Sequence, residues 1–120
     1  MLKNQLYHII SLENLGSLIK AEIKIMDTHP IFDGHFPDVP VLPGATMMQI
    51  AKELLEEVEQ KPLMIVKAGQ IKFLQMLNPK KVNTVNWEIE IMDRLEGNIK
   101  IKARMYDEEI TFLKMTALLS

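Results

Sequence analysis

One imidazole, His35, stands in a loop stiffened by Pro37, Pro40 and Pro43, just before Gly44 opens the longest helical pattern in the chain. An imidazole titrates near neutral pH and can take a proton, and the free amides of a helix start can hold charge that builds on an oxygen. Together they suit reactions in which a proton leaves a carbon beside a carbonyl. A carboxylic acid would complete such a site. One turn into the helix stands Gln49 instead, whose amide can orient a hydroxyl but does not transfer a proton.

Those residues need elements to position them. From Ile19 to Ile25 apolar Ile19, Ala21, Ile23 and Ile25 alternate with Lys20, Glu22 and Lys24, the period of a half-buried strand. Thr28 to Gly44 carries four prolines and two glycines and reads as an ordered loop. From Ala45 to about Gln60 the period becomes helical, with Met47, Met48, Ala51, Leu54, Leu55 and Val58 on one face and Lys52, Glu53, Glu56 and Glu57 opposite. Pro62 ends it. At 1.5 Å per residue the helix runs about 24 Å, and one helix cannot bury its own stripe.

The second half supplies the cover. A less regular strand runs from Leu63 to Phe73, with Gly69 as a bend or bulge. Val85, Trp87, Ile89 and Ile91 alternate with Thr84, Asn86, Glu88 and Glu90. Turns at Glu96-Gly97-Asn98 and Asp107-Glu108-Glu109 flank Ile99, Ile101, Ala103 and Met105, and a last strand ends in Leu113, Met115, Ala117 and Leu119. Short turns imply antiparallel pairing. The reading is an α+β fold, one central helix wrapped by a curled antiparallel sheet of about five to six strands, expected to form one domain over residues 1–120.

Composition narrows the function classes. The chain has 120 residues, 48% of them hydrophobic and 25% charged, with net charge −2. The pI near 5.9 gives no electrostatic footprint for nucleic acid. With no cysteine there is no disulfide, thiolate metal site or Cys nucleophile, which fits a reducing cytoplasm. The start Met1-Leu2-Lys3-Asn4-Gln5 lacks a signal-peptide pattern, and no apolar run reaches membrane-spanning length. Three scattered histidines lack the spacing of a metal site, and the nine Met read as core filling.

The string Pro30-Ile31-Phe32-Asp33-Gly34-His35-Phe36-Pro37, followed by Pro40-Val41-Leu42-Pro43-Gly44, resembles the signature of the FabZ-type 3-hydroxyacyl-acyl-carrier-protein dehydratases, and the element order resembles their hotdog fold. Ile71-Lys72-Phe73-Leu74 with Asn78-Pro79 is similar to that family's next strand and turn. The likeness of organisation spans about residues 19 to 119, and its specific part is residues 30 to 51. It implies His35 as the catalytic base, the Gly44 amide as donor to the thioester carbonyl, and Phe36 and Pro43 beside Gly44 as substrate-binding positions. It also implies a site shared between two protomers, with an acidic helix residue at the position that is Gln49 here. The implied substrate arrives on an acyl carrier protein, and the implied assembly is a homodimer or higher homo-oligomer, or a heterodimer with a related subunit. No cofactor is implied, since the elimination needs only a base, a donor and an oxyanion site.

Plainer roles stand beside these. Gly44 can serve simply as a helix-start glycine, and Gln49 as a polar surface residue in line with Lys52, Glu53 and Glu56. His8 and His29 read as structural or surface residues, and Asp33 and Asp38 as turn formers. Trp87 and Phe73 are expected to pack the sheet against the helix, and Glu53 to Glu59 to form a solvated face. Glu53 and Glu56 are the nearest alternative acids. Carrier docking would need a local basic patch, for which Lys72, Lys80, Lys81 and Arg104 are available. Three functions follow: a dehydratase in which His35 both takes and returns the proton, an impaired subunit whose partner supplies the carboxylate, and a hotdog thioesterase or acyl-carrier binder.

Overall fold

The computed structural model describes residues 1–33, 40–108 and 110–120. The chain runs through β1 (Tyr7–Asn14), β2 (Leu18–Ile25), a 3-10 turn (Pro30–Phe32), α1 (Gly44–Glu59), β3 (Ile65–Phe73), β4 (Thr84–Leu95), β5 (Asn98–Asp107) and β6 (Ile110–Leu119). The strands form one sheet in the order β1-β2-β4-β5-β6-β3, every neighbouring pair antiparallel. Helix α1 packs on that curled sheet, the α+β arrangement expected from the sequence.

The period-two pattern sets the core. Val85, Trp87 and Ile89 of β4, Ile101, Ala103 and Met105 of β5, and Leu113, Met115 and Ala117 of β6 are buried with Ile19 and Ile23 of β2. They share one apolar cluster with Met47, Ile50, Ala51, Leu54 and Leu55 of α1. Each such aliphatic side chain contributes about 1.5–3 kcal/mol when taken out of water. The β4–β5 hairpin closes through Glu96 and Gly97, at φ 53° and 82°, a two-residue turn whose hand suits twisted strands and whose second position favours glycine. Gly69 lies in β3 where the register shifts between Ala68 and Ile71, so the bulge expected there is present. Turn residue Glu109 lies outside the described residues.

Two features depart from the sequence reading. Strand β1 is an extra edge strand, paired with β2 through a register shift between Ile9 and Ser11. That bulge leaves Ile10 52% exposed between half-buried Ile9 and exposed Ser11 and breaks the alternation that would have announced the strand. The expected solvated face of α1 is the second correction. Glu53 is 1% exposed. The chain's first residues cover it, with Leu6 and Tyr7 wholly buried. Glu56 accepts from the Leu63 amide at 2.7 Å, Glu57 pairs with Lys3, and Glu59 pairs with Arg94.

Candidate active site at the start of α1

The helix start is anchored by backbone. Leu42, 1% exposed, donates its amide to the carbonyl of buried Leu77 at 2.9 Å, tying the incoming loop to the segment after β3. Pro43 is the N-cap in extended conformation and offers no side-chain cap. The amides of Thr46 and Met47 turn back to the Pro43 carbonyl, at 3.1 Å each. The Gly44 and Ala45 amides lie outside that pattern, in the first turn, where backbone donors have no helical partner.

Phe73, at the end of β3, stands against this turn. A Cβ placed on Gly44 would meet the tip of the Phe73 ring at 2.5 Å, so a larger residue there fits only if that exposed ring moves aside. Phe73 remains 55% exposed at the sheet edge. The expectation that it packs the sheet onto the helix is therefore corrected: the ring covers the helix start and leaves much of its surface in solvent. Trp87, by contrast, is 1% exposed and takes the core role expected of it.

His35 and Phe36 lie outside the described residues, as does Asp38. The chain is moored on both sides of them. Ahead, the 3-10 turn is capped by His29, whose Nδ1 accepts from the Ile31 amide at 3.0 Å, and Phe32 is buried. Asp33 closes that turn by donating its amide to the Pro30 carbonyl at 2.9 Å, the turn-forming role expected of it. Behind, Pro40 and Leu42 are buried. His29 is thus a cap, and His8 an exposed partner of Asn4 at 3.2 Å, both structural as expected.

One turn into α1, half-buried Gln49 donates from Nε2 to Glu53 Oε2 at 2.8 Å. The Glu53 carboxylate also accepts from the Leu2 amide at 3.0 and 3.1 Å, the Lys3 amide at 3.0 Å and the Tyr7 hydroxyl at 3.0 Å. Burial is the strongest influence on this carboxyl and pushes its pKa up, but the donors from Leu2, Gln49, Lys3 and Tyr7 together prevail and hold it below the ordinary glutamate value. Burial, then the Glu53 charge beside it, pushes the Tyr7 phenol far above its usual range. A carboxylate so held does not donate a proton at neutral pH, so Glu53 does not replace the missing acid.

Gly44, Pro43 and Gln49 are therefore brought to one end of α1, with Phe73 beside them. Sequence reasoning missed Phe73 as a lid on the helix start, and Tyr7 and Glu53 as the group behind Gln49. The apolar pair Leu6-Tyr7 ahead of the first recognised strand was the available signal, since such residues seek cover.

A model of the ApeI-like family, described as ApeI dehydratase, matches residues 12–110 of the chain. The 3-hydroxyacyl-(acyl-carrier-protein) dehydratase FabZ of Ruminiclostridium cellulolyticum is 28% identical over 102 residues, covering 79% of this chain and 71% of its own. FabZ of Sulfurovum sp. is 24% identical over 120 residues, covering 78% and 80%. The dehydratase heterocomplex ApeI:P from Xenorhabdus doucetiae matches at a TM-score of 0.74 and 19% identity, covering 93% of this chain and 96% of that one. A mutant thioesterase from Staphylococcus aureus matches at 0.69 and 12% identity, covering 99% and 95%. These structural likenesses carry the fold alone, whereas the family model spans most of the chain. The chain belongs to the ApeI-like dehydratase family, hotdog-fold dehydratases of FabZ type.

Proposed function

We propose that this chain, as a single hotdog unit, removes water from a 3-hydroxyacyl thioester carried on an acyl carrier protein, giving the 2-enoyl thioester. The observation that carries the reading is an uncapped helix start at Gly44, in a chain of a dehydratase family whose sequence places His35 in the loop leading to it. His35 takes the C2 proton, and the electron pair moves toward the thioester carbonyl, where the Gly44 amide accommodates the developing charge. Pro43 and Phe36 flank the acyl chain. The enolate collapses, re-forming the thioester carbonyl and forming the C2–C3 double bond as the C3–O bond breaks. The imidazolium gives its proton to the departing hydroxyl, which leaves as water. Gln49 orients that hydroxyl.

Gln49 also favours a second reading, in which a related subunit supplies a carboxylate. The edge strand β3 supports an assembly of at least two chains. Every residue from Val66 to Gln70 is exposed, and Met64, Val66, Phe73, Leu74 and Met76 present apolar side chains at 49–71% exposure along this strand and at its two ends, Phe73 against the Gly44 turn. An open edge with apolar flanks needs cover. A second copy fits it, as does a related subunit of the kind named in the ApeI:P complex.

For the acidic carrier, the outer sheet face offers a row in which Lys72 of β3 lies opposite Lys114 of β6, and Lys114 opposite Arg104 of β5. Arg104 is already paired with Glu88 at 3.2 Å, whereas Lys72 and Lys114 stand opposite one another as like charges that an anionic partner relieves. Among the described residues no helix is long and apolar enough to cross a membrane. We place the reaction in the cytoplasm, with the carrier.

The test incubates the purified chain with a 3-hydroxyacyl-carrier thioester in D2O and identifies products by mass spectrometry. The 2-enoyl thioester, with deuterium entering C2 of recovered substrate, is the expected result. Free acid without enoyl product points to hydrolysis, and activity appearing only when a related subunit is added points to the shared site.

A further inference from the structure

Glu53 is buried, ionised and saturated with donors, which makes it an acceptor for every group it touches. The end of the Gln49 amide that faces it at 2.8 Å must therefore be the NH2 end, because a carbonyl oxygen there would oppose a carboxylate oxygen. Holding Nε2 in this way fixes the amide plane and leaves Oε1 as the end of Gln49 without a partner among the described residues. Glu53 is itself held from the other side by Leu2, Lys3 and Tyr7, so it cannot turn to follow a rotating amide.

We propose that Glu53 is a positioning residue that makes position 49 a hydrogen-bond acceptor toward substrate, so that the site selects thioesters whose C3 substituent is a free hydroxyl donating to Gln49 Oε1. The inference rests on the dehydratase reading for its substrate, and on the Gln49–Glu53 contact alone for its geometry. Its chemical consequence is direct. A hydroxyl whose hydrogen is spent on Gln49 turns its oxygen lone pairs elsewhere, free to receive the proton that His35 took from C2. One base then serves both proton transfers, and the carboxylate at position 53 orients without donating. A 3-methoxy thioester of equal length has no hydrogen to give and binds without this contact.

The experiment compares wild type, Glu53→Gln and the double variant Gln49→Glu/Glu53→Gln, with the 15N side-chain amide spectrum as a readout independent of turnover. In Glu53→Gln the new amide at position 53 donates to Gln49, whose own amide flips and presents NH2 to the substrate. We expect kcat to fall by about 10²-fold with a smaller change in KM. The double variant reverses the pair, restores an acceptor at position 49 and recovers kcat to within about tenfold of wild type. That recovery is undiminished at a pH where the carboxyl introduced at position 49 has no proton to give. Recovery that fades as pH rises marks a new general acid and overturns the proposal. Both variants deny Leu2, Lys3 and Tyr7 their carboxylate, so both melt below wild type. A merely structural Glu53 gives activity that follows melting temperature and no recovery in the double variant, which would overturn the proposal. Full kcat in Glu53→Gln would overturn it too. In the wild-type spectrum one Gln49 amide proton lies well downfield of the other, and that separation collapses in Glu53→Gln. Equivalent, solvent-like amide protons in wild type would refute the geometry even if no enoyl product is ever seen, whereas absent product with the downfield proton present refutes only the dehydratase reading.

Discussion

Leu54 and Glu53 are neighbours on α1, exposed by 0% and 1%, yet different physics surrounds them. Leu54 shares an apolar cluster with Met47, Ile50 and Ala51 and with the inward residues of five strands, where any shape of the right volume finds contact. Glu53 depends on donors placed one by one: two amides, a phenol and the Gln49 side chain. The first face tolerates repacking. The second requires a particular segment, residues 2–7, in a particular place, and transmits that order to Gln49 beside the helix start. A hydrophobic surface thus sets where the helix lies, and a charged one sets how a side chain near its start is aimed.

Substitutions on each face separate the two. Leu54→Ala is expected to cost about 2–5 kcal/mol in denaturant unfolding through the cavity it leaves. Glu53→Ala is expected to cost about 1–3 kcal/mol by stranding buried donors. A loss within about 0.5 kcal/mol, as for an ordinary surface site, would restore the solvated-face reading and dissolve the contrast.

The pH dependence sharpens it further. Glu53 is held below its ordinary value in the fold, so its contribution is complete above the unfolded glutamate pKa. As pH falls below that value the unfolded chain takes up the proton first, and stability drains toward the lower folded pKa. Melting temperatures of wild type and Glu53→Ala should therefore converge between about pH 5 and pH 3. Tyr7 works in the opposite direction, since its folded value is raised. Above about pH 10 the unfolded phenol ionises while Tyr7 keeps its proton, and stability falls with rising pH. Tyr7→Phe should flatten that alkaline limb.

At the helix start the effect moves from stability to turnover. Gly44→Ala puts a methyl into the Phe73 ring, an exposed side chain that can swing away. Stability should change by less than about 1 kcal/mol, while turnover falls about tenfold or more from the displaced lid and amide. Adding Phe73→Ala should relieve the crowding. Smallest of all is Lys52→Ala, whose contact with Glu56 one turn on spans 3.8 Å, with about 0.3–0.5 kcal/mol expected.

The same contrast explains what the sequence could and could not say. Strands β2, β4, β5 and β6 were legible because alternation runs through most of each, from Val85 to Ile89 in β4 and Leu113 to Leu119 in β6, and α1 because Met47, Ala51, Leu54 and Leu55 recur at helical spacing. The loop-to-helix signature placed Gly44 and Gln49 at one helix end without any structure. Strand β1 was hidden by its bulge at Ile9–Ser11. Glu53 was hidden because a carboxylate on the polar side of a wheel looks solvated until its donors are known, and those come from residues about fifty positions earlier. Phe73 read as a core aromatic because nothing in its spacing tells a covered ring from one that stands over a glycine.

The most direct measurement is enoyl-thioester formation from a 3-hydroxyacyl-carrier substrate by the purified protein, wild type against His35→Ala, with circular dichroism confirming that both are folded. The account expects enoyl product from wild type and a loss on the order of 10²–10⁴-fold when the imidazole is removed. Equal rates in the two proteins would contradict it, because the His35 imidazole is the group assigned to take the C2 proton.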